Sequence, residues 1–426
     1  MERMLAIAII AVFLICAVLM YTKRISAIVA LPLMALIIAL LATPTQPLEA
    51  LAQVFGTGSA RLAGAMTNAI FGAILAHVVY STGIAETIVK KAAELAGDRT
   101  LAVALIMTFA SAICFVALGG LGSVIMVGTL VLPILMGVGI SPLAAACMFL
   151  LALSLGGIFN VANWGFYSDV LKVPVSTISS FATALGFLLL VATVAFVVLN
   201  ARSERTAWAT PSSLPSESSA QAPAASLITP IIPVAILLGF KYLAGISFDI
   251  NAALIIATLY GCLTTRPRET LNLVTGAAIE GIKNVAPVLA LMMGIGMAVT
   301  AFTSDAVKAV MTPLLEGVVP TSRIGYVLFF GLLSPLALYR GPLNLYGLGA
   351  GVGAILTSIY QPHLVMGALM CTGLVQGVCD PTNTHNAWTA GFTKTDVNDI
   401  LKRTLPFVFA AVILALTYIA LVRWSG

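Results

Sequence analysis

The sequence predicts an all-α integral membrane protein made of two inverted-topology repeats. Each repeat is expected to hold about five spanning helices, one re-entrant hairpin and one broken helix. Three observations carry this. Hydrophobic residues fill 60% of the 426 positions and charged residues 9%, against about 25% charged in soluble domains, so the chain cannot cover a water-facing surface. Apolar runs close to the roughly 20 residues that a helix needs to cross the hydrocarbon core recur throughout. They do not alternate with polar residues as barrel strands would. Interruptions of similar kind fall about 220 residues apart in the two halves, the pattern of a repeated carrier fold.

In the first repeat, 1–200, residues 4–20 and 25–42 read as two spans joined by Lys23 and Arg24. The first could pass for a signal peptide. With no small-residue cleavage site before Tyr21, it reads as a membrane helix. Residues 48–62 are mildly amphipathic and are expected at the interface, and 63–80 form the next span. Residues 84–97 carry Glu86, Lys90, Lys91 and Glu94 at helical spacing, a solvated face. The stretch of about 100–138 reads as a hairpin whose glycine tip, Gly119–Ser123, is expected to be buried in protein. A helix over 142–159 is then broken at Asn160–Gly165, and 178–199 completes the repeat.

Residues 201–226 hold seven Ser and three Pro, and read as a flexible cytoplasmic linker. The second repeat, 227–426, has expected spans at 228–243, 249–263, 284–302, 363–379 and 404–423, and a hairpin over about 324–360. At the same shift of about 220, Pro142 aligns with Pro362, Asn160 with Asp380 and Asn163 with Asn383. If Lys23 and Arg24 lie inside, Lys90, Lys91, Arg99, Arg202, Arg205, Arg266, Arg268, Lys394, Lys402 and Arg403 share that side. This follows the positive-inside rule and puts both termini outside, periplasmic for a bacterial inner membrane.

The net charge of +5 is spread over helix ends, so no nucleic-acid partner is expected. The six cysteines form no CxxC pair, which leaves buried free thiols. No phosphate loop, HExxH or GxSxG occurs, so no enzyme, cofactor or metal centre is expected. The partners foreseen are the bilayer and a small ligand.

Four interruptions can meet near the midplane of an inverted repeat: the two hairpin tips and the two breaks. Broken helices offer free N–H groups to anions and free carbonyls to cations. At the first tip the candidates are Gly120, Gly122 and Ser123; at the first break, Asn160 and Asn163. At the second tip they are Arg340, Gly341 and Asn344. Arg340 offers a planar fork suited to a carboxylate, and an ionisable residue at bilayer depth is a functional candidate by default. The second break is the polar run Asp380–Asn386. Thr382, Asn383, Thr384 and Asn386 are candidate hydrogen-bond donors to substrate, and Asp380 and His385 are candidates for coupling to H⁺ or Na⁺. This points to a secondary carrier of a small organic anion. A Na⁺/H⁺ antiporter and a membrane subunit of a binding-protein-dependent carboxylate importer are the alternatives.

The segment Met20–Pro32, MYTKRISAIVALP, resembles the opening of the citrate–metal/proton symporters. So do the apolar arm before Gly119, the Asn160–Gly165 break and the two-half layout. The resemblance implies the ion-transporter superfamily, with gluconate and C4-dicarboxylate carriers as relatives. It further implies symport of an organic anion such as citrate, a dicarboxylate or a sugar acid, an elevator motion and a homodimer. The chain departs from that family at Ala117–Gly122, which has no acidic residue. Its nearest match to a Ser-Asn-Thr signature is Pro381–Thr384.

Overall fold

The computed structural model describes residues 2–22, 24–97, 99–201 and 221–424. Lys23, Arg202, Arg205 and most of the expected linker lie outside the described residues. Among the described residues all regular structure is helical. Nine helices there are long and apolar enough to cross a membrane, or ten with the bent pair Pro142–Ile158 and Val161–Leu171 counted as one. The chain is a multi-pass membrane protein. Helices suit that setting because each backbone polar group is satisfied within its own segment.

Two long helices stand at equivalent places, Pro47–Ser81 and Pro267–Phe302. The first absorbs 48–62, which the sequence suggests lies at the interface, through a π-helical stretch, Ala52–Gly58. The second begins well before the expected start at 284. Its polar first half is tolerated because Lys283 and Glu280 pair on an exposed face at 2.6 Å. The long helices approach closely at two related crossings. A Cβ on Gly281 would lie 3.0 Å from the backbone of Ala73 and Ile74, and one on Gly58 would lie 3.0 Å from Met297 Cα. Without a hydrophobic drive between helices in lipid, such contacts depend on small residues.

Both hairpins are present. The first has arms Thr100–Ala117 and Gly120–Gly137, and the Thr100 hydroxyl donates to the Val138 carbonyl at 3.2 Å. The second runs through Arg323–Leu333 and Ser334–Arg340 into Gly349–Leu356, and the Tyr360 hydroxyl donates to the Pro320 carbonyl. Each bond ties the start of a hairpin to its finish, so the chain enters and leaves by one face. Pro320 and Tyr360 stand 220 and 222 residues after Thr100 and Val138.

One expectation fails here. The tip Gly119–Gly122 is exposed, and a Cβ on Gly119, Gly120 or Gly122 would meet nothing within 4 Å. Three glycines leave little apolar surface to draw a tip into contact.

The repeats interlock. Gly128 of the first hairpin lies under the Trp388 ring of the second broken helix, where a Cβ would come within 2.5 Å of Cζ3. Tyr346 of the second hairpin stacks on Phe166 of the first broken helix, with centroids 4.4 Å apart and planes at 19°.

Candidate functional site

Each break is built by two asparagines. At the first, Asn160 caps Val161–Leu171, its Oδ1 accepting from the Ala162 amide at 3.1 Å. One turn on, Asn163 Nδ2 donates back to the Gly157 carbonyl at 3.0 Å. The Trp164 indole likewise donates to the Ile158 carbonyl at 2.7 Å. The two helices are bent by 61°, and these side chains satisfy carbonyls that the break leaves free. At the second break Asn383 caps Thr384–Thr393 through the His385 amide at 3.3 Å. Asn386 Nδ2 donates back to the carbonyls of Asp380 and Val378, at 2.9 and 3.0 Å.

The pairing of the breaks therefore needs correction. Asn160 corresponds to Asn383, and Asn163 to Asn386, both 223 residues apart. The shift departs from 220 because the second helix pair is longer: Pro362–Cys379 has one residue more than Pro142–Ile158, and Asp380–Asn383 separates its helices where Phe159 and Asn160 separate the first pair. Both broken helices end on a lysine with left-handed backbone, Lys172 at φ 56° and Lys394 at φ 55°.

The second tip closes on this frame. Tyr339 and Arg340 both have φ of 57°, a conformation that costs a non-glycine residue roughly 1–2 kcal/mol. Gly341 is required where it stands, since a Cβ there would lie 2.1 Å from the Leu336 carbonyl oxygen. Asp380 is fully buried, and its two oxygens are divided. Oδ2 accepts from the Tyr339 amide at 3.0 Å. Oδ1 accepts from the Thr382 amide and hydroxyl at 2.8 and 2.7 Å. Asn344 Oδ1 holds the Tyr346 amide at 2.9 Å, and the Thr372 hydroxyl donates to the Leu343 carbonyl at 2.9 Å. The Tyr346 hydroxyl crosses to the first repeat and donates to Asn163 Oδ1 at 2.7 Å.

Three side chains in this cluster are left incomplete. Arg340 is half-buried. Its contact is a long one, Nη1 to the Tyr346 carbonyl at 3.5 Å, and it takes part in none of the four ion pairs among the described residues. Asn344 Nδ2 and Asn386 Oδ1 are buried with no partner. A buried orphan of this kind costs about 1–3 kcal/mol.

The structure thus brings together Arg340, Gly341, Asn344, Asp380, Thr382 and Asn163, with Asn160, Asn383 and Asn386 as the supports of the two breaks. His385 lies two residues beyond Asn383, which holds its amide. Thr384 is exposed. The first tip stands apart: among the described residues no hydrogen bond joins Gly120, Gly122 or Ser123 to the second tip or to either break, and Ser123 donates to the Gly119 carbonyl at 2.9 Å. No group of three His, Cys, Asp or Glu residues able to hold a metal gathers among the described residues.

Sequence reasoning overlooks Tyr346, Phe166 and Thr372. Tyr346 stands two residues after Asn344 at the second tip, and a tyrosine in that place was the available signal. Asp169, on the first broken helix, reaches back to an earlier span. It accepts from the Ala65 amide, and so caps the helix Ala63–Ser81 across the repeat.

Similar structures carry the same frame. The transporter YdaH of Alcanivorax borkumensis, noted for an unusual topology, matches with a TM-score of 0.60 at 16% identity, over 92% of this chain and 97% of that one. The chain carries a transporter fold. MtrF of Neisseria gonorrhoeae, which illuminates a class of antimetabolite efflux pumps, matches with a TM-score of 0.60 at 15% identity, over 88% of this chain and 84% of that one. No family model and no curated protein matches the sequence. Identities this low carry the fold and not the cargo.

Proposed function

We propose that the protein is a secondary active transporter of a small organic anion, a carboxylate by preference, coupled to H⁺ or Na⁺. Arg340 carries the reading. It is an intramembrane guanidinium held in a left-handed turn, without a carboxylate, in the same tip as the buried Asn344 amide nitrogen, which lacks a partner. A charge in that position is costly unless a ligand answers it. A carboxylate would take the guanidinium fork in two contacts and the Asn344 amide in a third. Asp380 and His385 are the groups proposed to take up the coupling proton or cation. Citrate, dicarboxylates and sugar acids are the cargo classes to try first, with a homodimer in a bacterial inner membrane as the working form.

The fold shared with MtrF favours one variation, export of the anion rather than import. A Na⁺/H⁺ antiporter would need carboxylates at the breaks and no anion anchor, which suits Asp380 but not Arg340. The test is uptake into proteoliposomes across a panel of mono-, di- and tricarboxylates and sugar acids, under imposed H⁺ or Na⁺ gradients of either direction. Saturable carboxylate flux that is lost in Arg340→Ala is expected. Cation exchange without any organic substrate, or carboxylate flux indifferent to Arg340→Ala, would overturn the proposal.

A further inference from the structure

Away from the central cluster, a second set of cations converges at one membrane face. Four membrane elements meet there: the start of Val175–Asn200, the end of Ala224–Ala244, the start of Pro362–Thr393 and the end of Val397–Arg423. Lys241 Nζ donates to the Ser176 carbonyl, and to the Ser179 hydroxyl at 3.1 Å. Arg423 Nη2 donates to the Ser180 hydroxyl. His363 Nε2 lies 2.9 Å from the Arg423 carbonyl, and a small pocket beneath is lined by Thr177, Phe181, His363, Met366, Ile419 and Arg423.

The arrangement is incomplete as it stands. Two like charges are drawn to one short row of serines, and neutral hydroxyls cannot cancel them. Neither cation belongs to an ion pair among the described residues. An ammonium has three donors and a guanidinium five, so donors remain unspent, and Arg423 Nε is buried with no acceptor. The ligand that fits is a phosphate group, which brings negative charge and several acceptor oxygens at once.

We infer that Lys241 and Arg423, with Ser176–Ser180, form a binding site for the phosphate headgroup of an anionic phospholipid. Its place at the ends of four membrane elements is the level of lipid phosphates. The helix that carries Lys241 also presents an apolar groove along Ile232, Ile236, Phe240 and Leu243, on a different face from Lys241. The neighbouring Tyr242 is 63% exposed, as expected of an interfacial aromatic anchor. The site is independent of the nature of the transported cargo.

The test is a lipid titration of the purified full-length protein in detergent, followed by its melting temperature and by native mass spectrometry. Phosphatidylglycerol is expected to stabilise the protein and to remain bound in the spectrometer, while phosphatidylcholine does neither. Lys241→Gln should raise the half-saturating phosphatidylglycerol concentration about five-fold, and the double variant with Arg423→Gln a further about five-fold. Lys241→Gln carries the test alone should the double variant fail to fold. An equal response to phosphatidylcholine, or an unchanged titration in Lys241→Gln, overturns the inference. Inorganic phosphate reproducing the full effect would overturn it as well, by making the ligand a soluble anion.

Discussion

The Asp380 carboxylate accepts the backbone amide of Tyr339 at 3.0 Å, and so fastens the tip of one hairpin to the break that follows it. The other oxygen is fully occupied by Thr382. An asparagine has a single acceptor oxygen and cannot serve both. Asp380→Asn is therefore expected to destabilise the protein by about 1.5–3 kcal/mol, the range for hydrogen bonds to charged groups, and to free the tip. Thermal unfolding in detergent measures the first effect and protease sensitivity near residue 340 the second. An unchanged melting curve would show that the latch contributes nothing.

Tyr346 joins the repeats in two ways, by its hydroxyl to Asn163 and by its ring on Phe166. Tyr346→Phe removes only the first, at about 1 kcal/mol. Tyr346→Ala also loses the stacked pair, about 0.5–1.5 kcal/mol more beyond the lost burial. Melting curves of the two variants should separate in that order, and equal losses would count against the stack.

Arg340→Ala is expected to abolish carboxylate flux while the protein stays folded, and Arg340→Lys should not restore it, because an ammonium lacks the planar fork. Flux in proteoliposomes, with melting curves as the control for folding, decides between the outcomes. Recovery with lysine would reduce the role of Arg340 to its charge.

Two glycines of one helix give a paired test of the crossing. Gly281→Ala pushes a methyl group against the backbone of Ala73 and Ile74 and should cost about 1–3 kcal/mol. Gly276→Ala meets open space and should gain about 0.5–1 kcal/mol from lost backbone freedom. If both shift the melting temperature alike, the long helices do not meet as described.

The native cysteines are all free and buried, so introduced thiols can be read against a low background. A membrane-impermeant maleimide should label Gly122→Cys quickly, since that tip is open, and Asn344→Cys slowly, since Asn344 is 2% exposed. Slow labelling at 122 would mean that the first tip is packed.

Much of this fold was legible because membrane physics is strict. Apolar runs and the glycine and asparagine interruptions located the hairpins and breaks. The failures have identifiable causes. Glu280 and Lys283 resemble a loop until their pairing on an exposed face is seen, so the long helix Pro267–Phe302 looked half its length. One extra residue in Pro362–Cys379 and two in the break that follows it shifted Asn383 and Asn386 out of register with Asn160 and Asn163. Composition alone shows neither an insertion nor which asparagine caps a helix. The site was legible to the extent that it consists of charges in hydrocarbon, as with Arg340 and Asp380. Tyr346 and Thr372 were hidden, since their roles exist only when the second hairpin meets the rest of the chain. The first tip was misjudged because glycines signal where a backbone can approach, not that it does.

The contacts Gly128–Trp388 and Tyr346–Phe166 have a bearing on inheritance as well as on packing. Each half lends an arm to the other, so neither is a free-standing module although the two share one plan. Expressed alone, a half would leave its lent arm and its borrowed pocket both bare. A change at either position has to be tolerated by a residue some 180–260 positions away, in the other half of the chain. The two copies are thereby bound to change together, even as the charge at one tip and its absence at the other let them diverge in what they hold.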